Sequence, residues 1–366
     1  MKSVRVALKQ NPYTIFIGSS ILTDIGKHLS GLALGDTAVI VTDPLIQRLH
    51  GDVLTRGLKR AGFNVKILTV PAGEKSKSIQ TASDLMKRAA DYDVFKKIFI
   101  AAFGGGVIGD LAGFAASVYK RGVPYVQIPT TLLAQIDSAI GGKAAVDLPV
   151  GKNLVGTFYQ PKLVFSDVSL LSTLPKRQIR NGLAEAVKYG VICDRKLFNY
   201  IAKNYARLLA GDSSALSSLV YRCSLIKARV VEQDEKETKG IRTILNFGHT
   251  IGHAIETAGG YHLYHHGEAI ALGMRAAAEI SYQLGMLKKQ DGESLNKLLT
   301  NIGLPEYIEK LNLSKILSVM KHDKKFLAGR NRFVLAQRIG KVKVIEGVPL
   351  DVIKSSLQLY IKRGQM

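Results

Sequence analysis

The sequence predicts an α/β protein: a mainly parallel sheet in the N-terminal half, followed by a mostly α-helical C-terminal half. Three observations lead there. Before about Leu170, short runs rich in Val, Ile and Phe alternate with helically spaced apolar residues; beyond it, long amphipathic stretches take over; strand-like runs return only near the end. In chain order, strand patterns at Ala38–Thr42, Asn64–Val70 and Lys97–Ala102 are separated by helical patterns at Pro44–Lys59 and Ser78–Ala90. Val107–Tyr119 then reads as a helix, and Tyr125–Ile128 and Leu163–Ser166 as strands. Alternation of this kind makes strands pair in parallel, because each helix carries the chain back across the sheet, and ligands gather at the strands' carboxyl ends. Helical spacing follows at Lys176–Tyr189, Ala215–Val231, Thr250–Ala258, Glu268–Leu284 and Glu293–Asn301, before strand patterns at Arg332–Ala336 and Lys341–Ile345. The expected division is residues 1–172 and 173–366, with a cleft between the two domains. No internal repeat is visible.

Composition narrows the class. The chain has 366 residues, 46% hydrophobic and 22% charged, which is ordinary for a globular protein and too apolar for a disordered one. Cys193 and Cys223 form no C-x-x-C pair, so a reduced, cytoplasmic setting is expected. Met1 to Gln10 lacks the apolar centre of a secretory signal, and the apolar stretch Ile98–Tyr119 is broken by Asp110 and a run of glycines. The outlier is charge: 51 basic against 29 acidic residues, a net +22. Such an excess suits nucleic acid or small anionic substrates. The basic residues are spread along the chain, densest from Lys321 to Lys343, with no arginine-rich tail or nucleic-acid module.

Gly104-Gly105-Gly106-Val107-Ile108-Gly109-Asp110 follows a predicted strand and opens a predicted helix. Glycines let a ligand approach the backbone, and a helix amino end offers unpaired N–H groups to an anion. The run satisfies G-x-G-x-x-G, yet it comes a hundred residues in, and no acid lies about 20 residues beyond it as a ribose partner. Asp43, ending the strand Ala38–Thr42, is the acid nearest that role. A dinucleotide held here must use a different order of loops.

Five of the eight histidines fall between His249 and His266. His249 and His253 are four apart and share a helix face; His265-His266-Gly267-Glu268 follows. Earlier, Glu185 and Lys188 are three apart on another predicted helix. Two imidazoles and one carboxylate suit a Zn²⁺ ion with an open position for substrate. H-x-x-x-H without an intervening Glu is not a metallopeptidase signature. Gly141-Gly142-Lys143, Gly151-Lys152-Asn153, Lys227, Arg242, Lys324 and Lys325 add cations suited to phosphate or carboxylate. Together these residues describe a site for a highly anionic small molecule.

At this level of detail the chain resembles the 3-dehydroquinate synthase family over nearly its whole length. The matching stretches are PAGEKSKS (71–78), GGGVIGDLAGF (104–114), YKRG (119–122), PTTLLAQIDSAIGGKAAVD (129–147), GKNLVGTFYQP (151–161), GLAEAVKYG (182–190), LNFGHTIGHAIE (245–256) and HGEAIALGM (266–274). The resemblance implies an N-terminal NAD-binding domain and a C-terminal metal- and substrate-binding domain. It also implies a reaction: 3-deoxy-arabino-heptulosonate 7-phosphate becomes 3-dehydroquinate and phosphate. The route is transient NAD-dependent oxidation at C5, phosphate elimination, re-reduction and intramolecular aldol closure, with no net redox change.

The family's site residues map onto this chain as follows. Glu185, His249 and His266 are the implied ligands of a divalent metal, Zn or Co. Lys188, Lys227, Glu237, Asn246 and His253 are the implied catalytic residues, with His253 serving the substrate phosphate and proton transfers. Arg121, Asp137, Lys143, Lys152, Asn153, Arg242 and Lys324 are implied to hold substrate, Arg242 and Lys324 facing its carboxylate. NAD contacts are implied at Asp43, at Ala72, Gly73, Glu74, Lys75, Ser76 and Lys77, and at Gly105, Gly106, Val107, Ile108, Gly109 and Asp110. Thr130, Thr131, Lys143, Lys152, Leu170, Leu171, Ser172 and Thr173 complete them. Arg121 is implied to reach the neighbouring subunit's site in a homodimer. One departure stands: Asp234–Arg242 is one residue longer than the family's DExExGxR pattern, though Glu237 and Arg242 still fit it.

Two rivals remain. Related sugar-phosphate cyclases, such as 2-deoxy-scyllo-inosose synthase, share the metal and NAD motifs, but a neutral substrate would leave Arg242 and Lys324 unpaired. A basic nucleic-acid-binding protein is the alternative from another class.

Overall fold

The computed structural model describes residues 1–94, 97–322 and 331–362. Its contacts divide the chain into two units, Met1–Pro175 with Leu216–Lys236, and Lys176–Ala215 with Glu237–Met366.

The first unit is built on a seven-stranded sheet: β1 (Lys2–Val6), β2 (Tyr13–Gly18), β3 (Thr37–Thr42), β4 (Asn64–Thr69), β5 (Ile98–Gly104), β6 (Tyr125–Pro129) and β9 (Leu163–Asp167). Their order is β1-β2-β9-β6-β5-β3-β4. Only β1 and β2 pair antiparallel; the other pairs are parallel. β3 and β5 are buried along their whole length, which is why both read as unbroken apolar runs. Alternate residues feed opposite faces. Val39, Val41 and Ile100 join one core with Leu85 of α3 (Ile79–Ala90) and Leu111 of α4 (Gly106–Val118). Ile40, Phe99 and Phe103 join the other with Ile25 of α1 (Ile25–Leu29) and with Leu54 and Leu58 of α2 (Pro44–Arg60).

From β3 the chain crosses to β4 on one side, then returns to β5 on the other. The carboxyl ends of β3 and β5 therefore flank the switch point where open α/β sheets bind ligands. An antiparallel hairpin of β7 (Lys143–Leu148) and β8 (Gly151–Phe158) lies outside this sheet. The strand patterns did not announce β1, β2, β7 or β8. β1, β7 and β8 are short or half exposed, and their apolar residues are interrupted by Lys, Arg, Asp or Gly; β2, Tyr13–Gly18, is an apolar, largely buried run that the pattern reading passed over.

The second unit holds α5 (Lys176–Cys193), α6 (Arg195–Leu209), α8 (His249–Ala258), α9 (His266–Gln283), α10 (Lys289–Ile302), α11 (Leu313–His322), α12 (Leu350–Gln358) and the hairpin β10 (Arg332–Arg338) and β11 (Lys341–Glu346). α5 is buried from Asn181 to Ile192. α8 and α9 approach closely because glycines face each other: a Cβ on Gly273 would stand 2.0 Å from the Gly248 carbonyl oxygen. Gly248 opens α8 in the left-handed region, φ 78°, which favours glycine.

A single boundary near residue 172 does not capture this division. The long helix α7 (Ser213–Gln233) belongs to the first unit from Leu216 onward. Glu232 Oε1 accepts from the Ala7 N–H at 2.7 Å, Lys227 pairs with Asp137, and the Lys2 ammonium lies 5.1 Å from the Tyr221 ring centroid. Helical periodicity identifies such a helix without saying which core its face will meet.

Candidate metal centre and dinucleotide cradle

In the second unit three helices converge on one carboxylate. Glu185, on the buried face of α5, is fully inaccessible. Its Oε1 lies 3.5 Å from His249 Nε2 at the start of α8 and 3.5 Å from His266 Nε2 at the start of α9. All three donor atoms lie within 4.8 Å of one another. Ligand bonds of about 2.0–2.2 Å give this kind of donor separation around a single ion. A buried carboxylate oxygen without a hydrogen-bond donor is costly, and Glu185 Oε1 has none. The residues present therefore fit a divalent cation. His249 Nδ1 lies 3.2 Å from the Phe247 carbonyl oxygen, which fixes the ring and leaves Nε2 to ligate.

The electrostatics agree. Burial, then the Lys188 ammonium, holds His249 well below the usual imidazole range, as the neutral ligating form. Burial opposes the charge on Glu185, but Lys188 and the two imidazoles outweigh it and keep the carboxyl well below its ordinary value. Burial likewise opposes a proton on His266, yet Glu185 and Glu256 together push it up to about 10. Two carboxylates around one imidazole form a site that demands positive charge. His253 lies edge-on to His249, with ring centroids 5.1 Å apart, and is exposed.

In the first unit, α4 begins at the carboxyl end of β5 with Gly105 as a cap that supplies no side chain. Its first N–H groups are thus left to backbone, solvent or an anion. Gly104, Gly105 and Gly106 have no positive φ; space is what matters. A Cβ on Gly105 would meet Thr131 Cγ2 at 3.1 Å, and one on Gly106 would meet Ser138 Oγ at 3.1 Å. Gly109 is packed against Gln127, where a Cβ would stand 2.9 Å from Oε1. Thr130, donating its N–H to Gly104 O at 2.9 Å, carries a buried hydroxyl with no partner. An open helix end beside an unsatisfied hydroxyl fits a pyrophosphate.

Lys77 ties the surroundings of that cradle together. It is buried and donates to Asp110 Oδ2 at 2.5 Å and to Asn153 Oδ1. Asn153, in the left-handed region at φ 57°, donates its N–H to Asp147 Oδ1 at 2.8 Å. Lys152 lies 3.4 Å from Glu74. Burial pushes Asp110 up to about 6 despite Lys77. Exposed Ala72 and Gly73 lead into the 3-10 turn Glu74–Ser76, in which Glu74 and Lys75 are exposed and the Ser76 hydroxyl donates to Pro71 O at 2.5 Å.

Other expected residues fall into place singly. Asp43 follows β3 and caps α2, its Oδ1 accepting from the Leu45 and Ile46 N–H groups at 2.9 and 3.0 Å. Asp137 pairs with the buried Lys227 across 90 residues of sequence. Arg242 is buried, with Glu237 3.4 Å away. Their longer loop is accommodated by left-handed Glu237, φ 55°, and Gly240, φ 74°. Asn246 ends the short 3-10 segment Ile241–Asn246 just before α8. Lys143 opens β7 after Gly142, whose φ of 69° and contact with Gln160 exclude a side chain there. Leu170, Leu171, Ser172 and Thr173 form a 3-10 segment after β9, and Thr173 Oγ1 lies 2.9 Å from His50 Nε2. Arg121 is exposed, at φ 63° between Lys120 and Gly122, which also have positive φ. Lys324 lies outside the described residues, as does Lys325. Sequence reasoning missed Glu256, although it stands seven residues after His249 on the same helix, a spacing that repeats the helical face.

A family model described as 3-dehydroquinate synthase N-terminal matches residues 67–181, and one described as 3-dehydroquinate synthase C-terminal matches residues 182–326. A 3-dehydroquinate synthase of Desulforamulus reducens is 47% identical over 349 residues, covering 95% of this chain and 97% of its own. One from Nostoc punctiforme is 44% identical over 358 residues, covering 97% and 98%. Among solved structures, a 2-deoxy-scyllo-inosose synthase complexed with carbaglucose-6-phosphate, NAD⁺ and Co²⁺ superposes with a TM-score of 0.89 at 29% identity, covering 98% of this chain and 100% of its own. A 2-epi-5-epi-valiolone synthase from Streptomyces hygroscopicus subsp. jinggangensis 5008, with NAD⁺ and Zn²⁺ bound, has a TM-score of 0.87 at 25% identity, covering 97% and 98%. Among the described residues, no helix is long and apolar enough to cross a membrane.

Proposed function

The chain belongs to the 3-dehydroquinate synthase family, and we propose that it carries out that reaction with Glu185, His249 and His266 as metal ligands and the amino end of α4 as the dinucleotide site. The substrate is 3-deoxy-D-arabino-heptulosonate 7-phosphate, the products are 3-dehydroquinate and phosphate, and the step is the second of the shikimate pathway. NAD and a zinc or cobalt ion are the cofactors: when bound, the nicotinamide accepts and returns a hydride, and the cation polarises the substrate oxygen. The observation that carries the assignment is the buried Glu185 oxygen, 3.5 Å from two imidazole nitrogens and lacking a donor.

The chain's own residues supply the rest. Lys188, buried beside Glu185, balances the carboxylate so that the site is not left with an uncompensated buried charge. Arg242, with its planar fork of donors, receives the substrate carboxylate, and Lys324 assists it. Lys143, Lys152 and Asn153 meet the phosphate and nicotinamide, with Lys77 holding Asn153 in place. His253 and Asn246 serve the phosphate and the proton movements around it, Lys227 and Asp137 act as a pair, and Glu237 orients Arg242. The exposed, left-handed Arg121 suits a guanidinium offered to a second subunit in a homodimer. Two free cysteines suit a reducing cytoplasm.

The test is phosphate release from 3-deoxy-arabino-heptulosonate 7-phosphate with NAD⁺ and Zn²⁺, before and after chelation. Chelator-sensitive release without accumulating NADH is expected, because the redox step closes on itself. Release from glucose 6-phosphate or sedoheptulose 7-phosphate instead would assign the chain to another cyclase.

A further inference from the structure

His249 and His266 reach Glu185 with the same nitrogen, but their other ring nitrogens meet different partners. His249 Nδ1 faces a main-chain carbonyl, at 3.2 Å from Phe247 O. His266 Nδ1 faces a carboxylate, at 3.2 Å from Glu256 Oε2. Glu256 is 8% exposed and lies on α8. Seven residues separate it from His249, about two turns, so one helix face supplies both a ligand and a group that touches the other ligand. A charged side chain this buried requires a partner.

We propose that Glu256 is a positioning residue of this enzyme: it accepts the Nδ1–H of His266 and so turns Nε2 toward Glu185 and His249. His266 needs such a hold more than His249 does. Its side chain is 32% exposed, against 11% for His249, so packing restrains its ring less. An anionic acceptor also makes the imidazole a stronger donor to a cation than a carbonyl does. The inference rests on reading Glu185, His249 and His266 as ligands. Its competitor is direct ligation, because His253, Glu256 and His266 also offer donor atoms within 4.8 Å of one another. The exposed His253 and the hydrogen-bonding distance between Glu256 and His266 favour the positioning role.

The experiment measures Zn²⁺ affinity and stoichiometry by competition with a chromophoric chelator, alongside kcat and KM, for the wild type, Glu256→Ala, Glu256→Gln and His249→Ala. Glu256→Ala is expected to bind one ion with affinity lowered about 10- to 100-fold. Its kcat should fall at limiting metal and recover in excess Zn²⁺, with substrate KM moved less than about threefold. Glu256→Gln keeps an acceptor oxygen of the same reach and should restore most of the affinity. It also serves as the informative variant if Glu256→Ala does not fold, which thermal unfolding of the metal-free proteins reveals. Wild-type affinity in both Glu256 variants, with His249→Ala losing the metal, would overturn the positioning role and spare the ligand set. Retention of metal by His249→Ala would overturn the ligand set itself. Two ions in the wild type and one in Glu256→Ala would make Glu256 a ligand and also overturn the proposal.

Discussion

Lys77 and Asp110, thirty-three residues apart in sequence, form a 2.5 Å ion pair that joins the loop after β4 to the second turn of α4. The same ammonium holds Asn153 at the β7–β8 hairpin. One side chain therefore anchors three segments around the proposed dinucleotide cradle. Lys77→Met leaves the Asp110 carboxylate without its cation, and breaking such a pair costs about 3 kcal/mol. We expect a lower urea midpoint and NAD⁺ affinity reduced at least tenfold, read by fluorescence titration. Unchanged affinity would mean that the clamp is structural only.

Asp110 gives the cradle a pH signature. Burial raises its carboxyl from an ordinary 3.8 to about 6. A raised folded value means that the native state binds the extra proton. The resulting stability is complete below about pH 3.8 and is lost as pH rises through 6. Asp110→Asn cannot ionise and lacks this loss. Between pH 4 and 7 the wild type should therefore lose stability relative to the variant, by no more than about 3 kcal/mol. Parallel urea curves with a pH-independent gap would contradict the assignment.

His249→Ala removes one of the two imidazoles from the proposed metal site. Bound zinc, measured by atomic emission after dialysis, should fall to background, and turnover should drop at least a hundredfold. NAD⁺ affinity should stay within about twofold of the wild type. A zinc-loaded, active variant would remove His249 from the ligand set.

Gly273→Ala tests how the imidazoles are brought together. Its Cβ would stand 2.0 Å from the Gly248 carbonyl oxygen, and neither backbone can yield without separating α8 from α9. Overpacking of this kind costs typically 1–3 kcal/mol, and more where backbone must move. We expect a loss of about 3 kcal/mol, with weaker zinc binding in whatever protein remains folded. Wild-type stability in calorimetry would show that the helices can part without cost.

Most of the architecture was legible in the chain. β3 and β5 announced themselves because parallel strands buried on both faces are apolar throughout, and α4 and α8 because apolar residues recur at helical spacing. Glu185, His249 and His266 were legible through the family's motifs, and the structure brings their donor atoms together. β1 and β8 were not legible, since an edge or exposed strand has little apolar pattern to show.

The amino-acid sequence by itself determined the α/β class through local pattern, and the family, with the cofactors that membership implies, through its motifs. Tertiary structure decided that α7 rejoins the first unit, that Lys77 binds both Asp110 and Asn153, and that Glu256 meets His266. The physical reason is range. Propensity and periodicity act over a few residues. These pairings instead depend on which faces the packed cores and closely spaced glycines bring within hydrogen-bonding distance.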